Sequence, residues 1–302
     1  MRRVEERDGG NAMGTSEMCS HIKIDHFYGI EISDFAAGTA KLALFIAEYQ
    51  ANESFKTVFG RCPAALPLRD AARIHTGNAL RLDWDEVCPP PAKDEEVFIV
   101  GNPPFLGDGS RSPAQNSDMD SVLSGHIDAY RRIDFVSCWF FKAAKYILGR
   151  PIQSALVATN SICQGQPVGA SWPHILDNGI ELSFAHTSFK WDNNASAQAA
   201  VFCVIIGLRN NSNVTKKLFD GVHSTEVPNI NAYLIASPNI HVLASKPLFS
   251  LPAMEKGNMP TDGGNLILSE SEQAALSSQQ PKAKKYLKKY MGSYEAISGS
   301  IR

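Results

Sequence analysis

The sequence FIVGNPPF spans residues 98–105 and joins an apolar run to a rigid turn. Residues 98–100 are apolar and favour β structure, so they predict a buried, central strand. Gly101 allows backbone or a ligand to approach closely. Asn102 offers a neutral side-chain carbonyl acceptor, two prolines stiffen the turn, and Phe105 supplies a flat apolar face.

This turn suits the methylation of a planar exocyclic amine, whose lone pair is delocalised into its ring. The Asn102 side-chain oxygen and the Pro103 backbone carbonyl can each accept one amino hydrogen and free the lone pair for attack on a sulfonium methyl. Positioning and aimed dipoles then supply the rate without a charged base. With Pro104 in the corner and Phe105 stacked on the base, all four residues are predicted to be catalytic. The alternative is an ordinary Pro-Pro turn after a strand.

Composition limits the remaining classes of function. The 302 residues allow one domain with a sizeable core, or a domain with an appendage. A net charge of −2 argues against a chain that grips nucleic acid over most of its surface. No apolar run is long enough for a membrane span, and the N-terminus does not resemble a signal peptide. The six cysteines have no paired spacing, which predicts reduced thiols in a cytoplasmic protein, and the histidines have no metal-ligand spacing. The basic cluster at 282–290 is interpreted as a solvated helix face in preference to a phosphate-contacting segment.

Strands and helices alternate along the chain and are followed by two strands with a short polar connection. This order predicts an α/β fold with a doubly wound, Rossmann-like sheet that ends in an antiparallel hairpin. Glu31, Asn78 and Asn102 fall at the carboxyl ends of strands, where such sheets bind ligands. The predicted strands are 24–32, 71–77, 97–100, 153–160, 180–187 and 199–208; the predicted helices are 34–50, 128–148 and 167–178, and 106–123 is predicted to be mobile.

From about residue 24 onward the chain resembles the methyltransferase region of MmeI-like type II restriction–modification enzymes. The resemblance implies a class I fold that uses S-adenosylmethionine to methylate adenine N6 in duplex DNA, with the target base flipped out of the helix. It is carried by the segments FYGIEI, GNALRLDW, FIVGNPPFLG, DFVSCWFFKAAKYI, SALVATNSICQG, FAHTSFKW, AAVFCVIIG and PTDGGNLILS.

The resemblance also implies a set of cofactor-binding residues. Glu31 matches the acid that holds the cofactor ribose hydroxyls; the alternative is a surface acid at a strand end. Asn78 stands where relatives usually have an aspartate that accepts from the cofactor adenine amine, and its amide oxygen can also accept. Asp83 is a substitute for that role or a loop acid. Gly101 and Asn102 complete the predicted cofactor site.

Three further positions have roles implied by the same resemblance. Phe189 and Trp191 match the region that lends an aromatic ring to the flipped base, although core packing explains them equally well. Asp134, predicted to lie on the long helix, matches a family position or is a helix-surface acid. His186 is interpreted as a core histidine and not as a catalytic one.

The chain also departs from the family pattern. A glycine-rich DPACGSG-type loop and its strand should precede residues 24–32, and the polar residues 1–22 contain neither. We therefore expect the first strand of the sheet to be missing, a partial catalytic domain at 23–220, and an extension at 221–302 leading towards an absent target recognition domain. We expect little activity from the isolated chain, and a partner chain that supplies the loop and the recognition domain. The alternatives are an RNA or protein amino-methyltransferase, a non-catalytic remnant and a split-enzyme subunit.

Overall fold

The computed structural model describes residues 22–60, 72–93, 95–191, 201–241, 263, 265–292 and 297–299. The chain divides into two units, one up to residue 244 and the other from residue 245 to 302. The first unit contains two β-sheets and the candidate site. In the described part of the chain, no helix has both the length and the hydropathy needed to cross a bilayer.

The smaller sheet pairs two parallel strands that are connected through a long helix. Strands β1 (Tyr28–Glu31) and β2 (Arg73–Thr76) flank helix α1 (Asp34–Phe59), which confirms the predicted order and extends the predicted helix. The Ser33 hydroxyl caps α1 by accepting a backbone N–H of the first turn at 3.2 Å. The helix ends at Gly60, whose φ of 76° is left-handed and costs glycine little.

The larger sheet has the strand order β3-β4-β6-β5-β7-β8. Strands β3 and β4 are parallel, β6 runs antiparallel to both β4 and β5, and β5 and β7 are parallel. The predicted hairpin is therefore confirmed as β5–β6, and the β7–β8 hairpin is an addition that the sequence did not predict. It follows that β3, β4 and β5 run in one direction and end at the same edge. The bounds are β3 (Val97–Gly101), β4 (Ile152–Thr159), β5 (Ile180–Trp191), β6 (Val201–Asn210), β7 (Lys216–Asp220) and β8 (His223–Val227).

Strand β3 is not the central, buried strand that its apolar sequence predicts. Among the described residues it pairs only with β4, so it forms an edge of its sheet. Phe98 is 65% exposed and Val100 is 79% exposed, whereas Val97 and Ile99 pack against the core. Among the described residues no strand joins the sheet of β1 and β2 to the sheet that begins with β3, so the expected single sheet is seen as two.

The segment 106–123, predicted to be mobile, contains a well-anchored helix. The short helix α2 (Trp84–Val87) precedes it, and α3 (Pro113–Leu123) follows the Pro-Pro turn. Met119 and Leu123 are fully buried, which fixes α3 on the core. The prediction was wrong because the larger apolar residues of α3, Met119, Val122 and Leu123, pack on the core, while polar residues dominate its sequence.

The predicted helix at 128–148 begins later than its sequence suggests, at the start of α4 (Ser137–Ile147). The predicted helix at 167–178 is divided into α5 (Gln166–Ser171) and α6 (Pro173–Leu176). A proline lacks the N–H that a continuous helix needs, which accounts for the division.

The core lies where α3 and α4 pack on the larger sheet. Trp172 is fully buried; its Nε1 donates to the Ile162 carbonyl at 2.8 Å and its ring meets Phe140 edge-on at 5.7 Å. A Cβ at Gly207 would lie 2.4 Å from the Phe184 ring, so this close cross-strand contact requires glycine. The core therefore supports the strand ends with little freedom to shift.

A buried ionic cluster joins β5, β6 and β7. The Glu181 carboxylate accepts from Arg209 Nε at 2.7 Å and faces Lys216 Nζ at 2.9 Å. Burial would raise the pKa of Glu181, but the hydrogen bonds from Lys216 and Arg209 outweigh it and hold the pKa below its usual value. The cluster fixes the neighbouring strands because each buried charge depends on the others.

The second unit contains α7 (Glu270–Gln279), which begins with a capping box between Ser269 and Glu272. A 3-10 turn at Pro281–Tyr286 follows and carries part of the basic cluster. The lysines at 282, 284, 285, 288 and 289 are exposed, as expected of a solvated face.

Candidate active site

The predicted catalytic corner, Asn102 to Phe105, follows β3 directly. Asn102 is exposed, and among the described residues neither its side-chain amide nor the Pro103 carbonyl has a hydrogen-bond partner. Pro103 is buried, Pro104 is exposed, and Phe105 is half-buried against the core. The two predicted acceptors therefore have no competing partner in the described part of the chain.

The chain is anchored immediately after this corner. Leu106 N donates to Asp134 Oδ1 at 3.1 Å, and the Leu106 carbonyl accepts from Phe135 N at 3.0 Å and from Arg111 Nη1 at 3.3 Å. Asp134 lies in the loop before α4 and not on a helix surface, because its carboxylate also accepts the Val136 N–H at 3.0 Å. Sequence reasoning missed these anchoring roles, although an acid just before a helix start is a recognisable signal.

Glu31 lies at the carboxyl end of β1, beside the corresponding end of β2. Its backbone carbonyl accepts from Gly77 N at 2.7 Å, which joins the two strand ends. Its side chain is half-buried and has no hydrogen-bond partner among the described residues. An unpaired carboxylate at a strand end can accept two hydroxyl donors, as a ribose would provide.

Asn78, two residues beyond β2, is already engaged within the protein. Its Oδ1 accepts from Leu80 N at 2.9 Å and its Nδ2 donates to Asp118 Oδ2 at 2.8 Å. One lone pair of Oδ1 remains, so its predicted contact with an adenine amine stays a prediction with a single acceptor position. Asp83 caps α2 by accepting from Asp85 N at 2.9 Å, which gives it a local structural role.

The turn after β2 is held by two charged side chains that the sequence did not single out. Asp118, on α3, is buried and also accepts from Arg81 Nε at 2.6 Å. Lys142, on α4, donates to the carbonyls of Ala79 at 2.8 Å and Leu80 at 3.1 Å. Burial lowers the pKa of Lys142. Through these contacts, the carboxyl end of the smaller sheet is attached to helices that pack on the larger one.

The aromatic pair Phe189 and Trp191 lies at the carboxyl end of β5, with ring centroids 6.2 Å apart. Trp191 is 40% exposed. Since β5 and β3 run in the same direction, the pair and the catalytic corner belong to the same edge of the sheet. Strands β3 and β5 are three spacings apart, about 14 Å laterally, with β4 and β6 between them.

Polar groups at the end of β4 occupy the space between these two features. Asn160 Nδ2 donates to Ser188 Oγ at 3.3 Å, and the hydroxyls of Thr159 and Ser161 lie 2.7 Å apart. The sequence placed a strand end here but gave no reason to select these residues.

The side chain of His186, interpreted from the sequence as a core histidine, is only half-buried. Its ring stacks on Phe219 with centroids 4.3 Å apart, and burial lowers its pKa. In the described ranges, no group of His, Cys, Asp and Glu side chains is arranged to hold a metal ion. A surface cleft of about 230 Å³, lined in part by His126, Lys145 and His174, lies at the amino end of β5 and away from the corner.

Two family models match the chain. The DNA-methyltransferase domain of MmeI matches residues 1–220, and the target recognition domain of MmeI matches residues 236–302. Similarity to the recognition domain therefore lies inside the segment 221–302, which the sequence suggested would only lead towards it.

A curated relative, DNA methyltransferase A of Bacillus subtilis (strain 168), is 41% identical over 284 residues. The match covers 93% of this chain and 32% of that protein. The solved structure of the type IIL restriction–modification enzyme MmeI in complex with DNA has a TM-score of 0.82 at 34% identity, covering 99% of this chain and 42% of that one. This chain thus spans less than half the length of either protein, and it belongs to the MmeI-like restriction–modification DNA methyltransferases.

Proposed function

We propose that this chain carries the catalytic corner of a site-specific DNA methyltransferase that modifies the exocyclic N6 amino group of adenine. The observation that supports the proposal most directly is that the side-chain oxygen of Asn102 and the backbone carbonyl of Pro103 have no hydrogen-bond partner among the described residues. Two neutral oxygen acceptors stand at a strand end with no partner among the described residues, on a corner that two prolines stiffen. A neutral pair suits an aromatic amine, because neither oxygen takes a full charge during the reaction.

The chemical role of the corner follows from its donors and acceptors. The Asn102 Oδ1 and the Pro103 carbonyl each accept one amino hydrogen, which draws the nitrogen towards tetrahedral geometry and localises its lone pair. When bound, S-adenosylmethionine supplies an electrophilic sulfonium methyl group. Phe105 would hold the plane of the base while the nitrogen bonds to the methyl carbon and the carbon–sulfur bond breaks, which would leave a neutral thioether. The methylated nitrogen would then release one hydrogen to solvent as a proton.

The residues present fit part of the proposed cofactor. Glu31 offers an unpaired carboxylate for the ribose hydroxyls, and Gly101 leaves the backbone beside Asn102 uncovered by a side chain. Asn78 retains one acceptor position for the adenine amine. The sequence contains no glycine-rich loop for the methionine part of the cofactor. The residues present therefore fit the adenosine part of the cofactor, but they do not include the loop expected to bind its methionine part.

A polypeptide segment outside residues 1–302 is proposed to supply the glycine-rich loop. Strands β1 and β3 each have an edge without a partner among the described residues. The exposed side chains of Phe98 and Val100 provide apolar surface beside one of these edges. For this reason we propose that the isolated chain has poor cofactor affinity and little activity.

The proposed macromolecular partner is duplex DNA with one adenine flipped out of the helix. Phe189 and Trp191 would stack on the extruded base, a contact worth about 1–3 kcal/mol per base. We assign methyl transfer to residues 23–220 and the reading of DNA to the recognition-domain match at 236–302 together with segments outside this chain. The proposed substrate places the protein in the cytoplasm.

A chimeric enzyme tests the proposal. This chain replaces the matched 284-residue segment of the Bacillus subtilis relative, which restores the regions that lie on either side. Purified chimera is incubated with duplex DNA and labelled S-adenosylmethionine, and methylated nucleosides are identified by mass spectrometry. An Asn102→Ala chimera is the matched control.

We expect N6-methyladenine from the chimera and at least a hundredfold less from the Asn102→Ala chimera, since one of two aimed acceptors is lost. A folded chimera that methylates cytosine, RNA or protein in place of adenine would contradict the proposed substrate. Unchanged activity in the Asn102→Ala chimera would contradict the proposed catalytic role.

A further inference from the structure

We infer that Arg111 and Asp134 are positioning residues for the proposed methyl transfer. They fix the corner at residues 102–105 through Leu106, the residue that follows it. This inference rests on the proposed function of the corner, but the anchoring itself can be measured separately from catalysis.

Pro103 is buried and Phe105 packs against the core, but the prolines of the corner contribute no backbone hydrogen bond within the described residues. Pro103 and Pro104 have no N–H, and no described group donates to the Pro103 carbonyl. The corner is therefore an arch between two fixed points. One is Gly101, paired with β4 inside the sheet, and the other is Leu106.

Arg111 is the centre of the second fixed point. Its side chain is 0% exposed. A guanidinium has five N–H groups in a planar fork, and all five have acceptors here. The acceptors are the carbonyls of Leu106 (3.3 Å), Ile133 (2.9 Å) and Arg131, the Asn116 side chain (3.1 Å) and the Asp108 carboxylate (3.2 Å).

Asp134 completes the clamp by binding the backbone N–H of Leu106, whose carbonyl is bound by Arg111. Its Oδ1 accepts the N–H of Leu106 at 3.1 Å and that of Val136 at 3.0 Å, so it joins the corner to the start of α4. The Leu106 N–H is thus bonded to the half-buried Asp134 carboxylate, and the Leu106 carbonyl to the buried Arg111 guanidinium. Bonds to charged partners are the stronger kind, and these two restrain both peptide units that meet at Leu106.

Neither residue is placed to touch the substrate. Both act through the backbone, by holding the Asn102 and Pro103 oxygens at the separation that two amino hydrogens require. A looser arch would still bind the cofactor and DNA but would present its acceptors less often in the reactive geometry.

Amide hydrogen exchange tests the anchoring in this chain. The variants are Asp134→Ala, its conservative counterpart Asp134→Asn, and Arg111→Lys. Asp128→Ala is the matched control, because Asp128 is exposed and its side chain has no hydrogen-bond or ion-pair partner in the part of the chain that the structure describes. Exchange is followed by mass spectrometry in the segment 102–107 and, as a reference, in β4.

We expect Asp134→Ala and Arg111→Lys to speed exchange in 102–107 about tenfold or more, with β4 unchanged. Asp134→Asn keeps one acceptor oxygen and should restore most of the protection. Unchanged exchange in 102–107, or an equal increase in β4, would overturn the anchoring.

The same substitutions in the chimeric enzyme test the link to catalysis. We expect Asp134→Ala to lower kcat about tenfold and to change the Kd for S-adenosylmethionine less than twofold. A loss of cofactor affinity with unchanged kcat would overturn the positioning role. An inactive parent chimera would count against the proposed function, while the exchange measurements would still decide whether the clamp exists.

Discussion

Replacing Asp118 by alanine should destabilise the protein by about 2–3 kcal/mol, and the structure assigns most of that cost to one of its two partners. The Asp118 side chain is 6% exposed and accepts from Asn78 Nδ2 at 2.8 Å and from Arg81 Nε at 2.6 Å. The shorter contact is the one to Arg81. Distance alone would therefore predict that Arg81 contributes more.

Exposure reverses that order. The Arg81 side chain is 60% exposed, so water replaces its lost partner and the pair is worth at most about 1 kcal/mol. The Asn78 amide lies in a partly buried position, and a hydrogen bond to a charged acceptor contributes about 1.5–3 kcal/mol. Relief of the buried charge offsets part of the sum.

Urea unfolding of the single and double variants measures both terms. A double-mutant cycle of Asp118→Ala with Asn78→Ala should give a coupling energy above about 1 kcal/mol, and a cycle with Arg81→Ala less than that. Asp128→Ala, at an exposed acid, should stay within about 0.5 kcal/mol of the parent protein. A larger coupling to Arg81 than to Asn78 would refute the reasoning from exposure.

Three other outcomes follow from the structure. Because the pKa of Glu181 is lowered, its contribution to stability is present above the ordinary value of 4.5 and is lost as the pH falls through the lowered value. Glu181→Gln should therefore flatten that part of the curve of unfolding free energy against pH. It should also destabilise the protein near neutrality, because Lys216 would stay buried without its carboxylate partner. Asn102→Ala should change the unfolding free energy by less than about 0.5 kcal/mol in urea titrations, because the side chain is exposed and unpartnered among the described residues. Gly207→Ala should cost about 1–3 kcal/mol in the same assay, since the new Cβ would lie 2.4 Å from the Phe184 ring, and adding Phe184→Leu should recover part of it.

The sequence predicts elements well where one local signal dominates. The strands at β1 and β4 and the β5–β6 hairpin have apolar runs with clear breaks, and the structure confirms them. It also confirms β2, although that strand is short and mostly polar. The sequence fails at β3, whose apolar run predicts a central strand but forms an edge. An apolar strand sequence predicts that both faces of the strand are buried. It does not predict whether the strand has a hydrogen-bonded neighbour on one edge or on both.

Helix α3 could have been found from its first turn. Ser112 and Gln115 form a capping box, and Pro113 occupies the first helical position. The loop composition obscured that signal. The late start of α4 has a similar origin, because the periodic apolar residues before Ser137 belong to a loop that the Asp134 carboxylate organises.

Buried charges limit what sequence can reveal about the candidate site. Asp118 and Asp120 lie on the same helix two residues apart, yet the first is buried against Asn78 and the second pairs with exposed Arg131. Both residues are aspartates, so residue type alone does not predict which of the two is buried. Only the packing of α3 decides which acid holds the turn after β2.

Helix α3 contacts both the residues that anchor the Pro-Pro corner and the turn after β2. Asn116, in its first half, bonds to the Arg111 clamp, and Asp118, half a turn later, bonds to Asn78 on the smaller sheet. A shift of α3 therefore acts on the anchored end of the proposed catalytic corner and on the turn proposed to face the cofactor. Prolines make the corner rigid but remove its own donors, so under the proposed function the alignment of amine and methyl group would depend on residues that no motif contains.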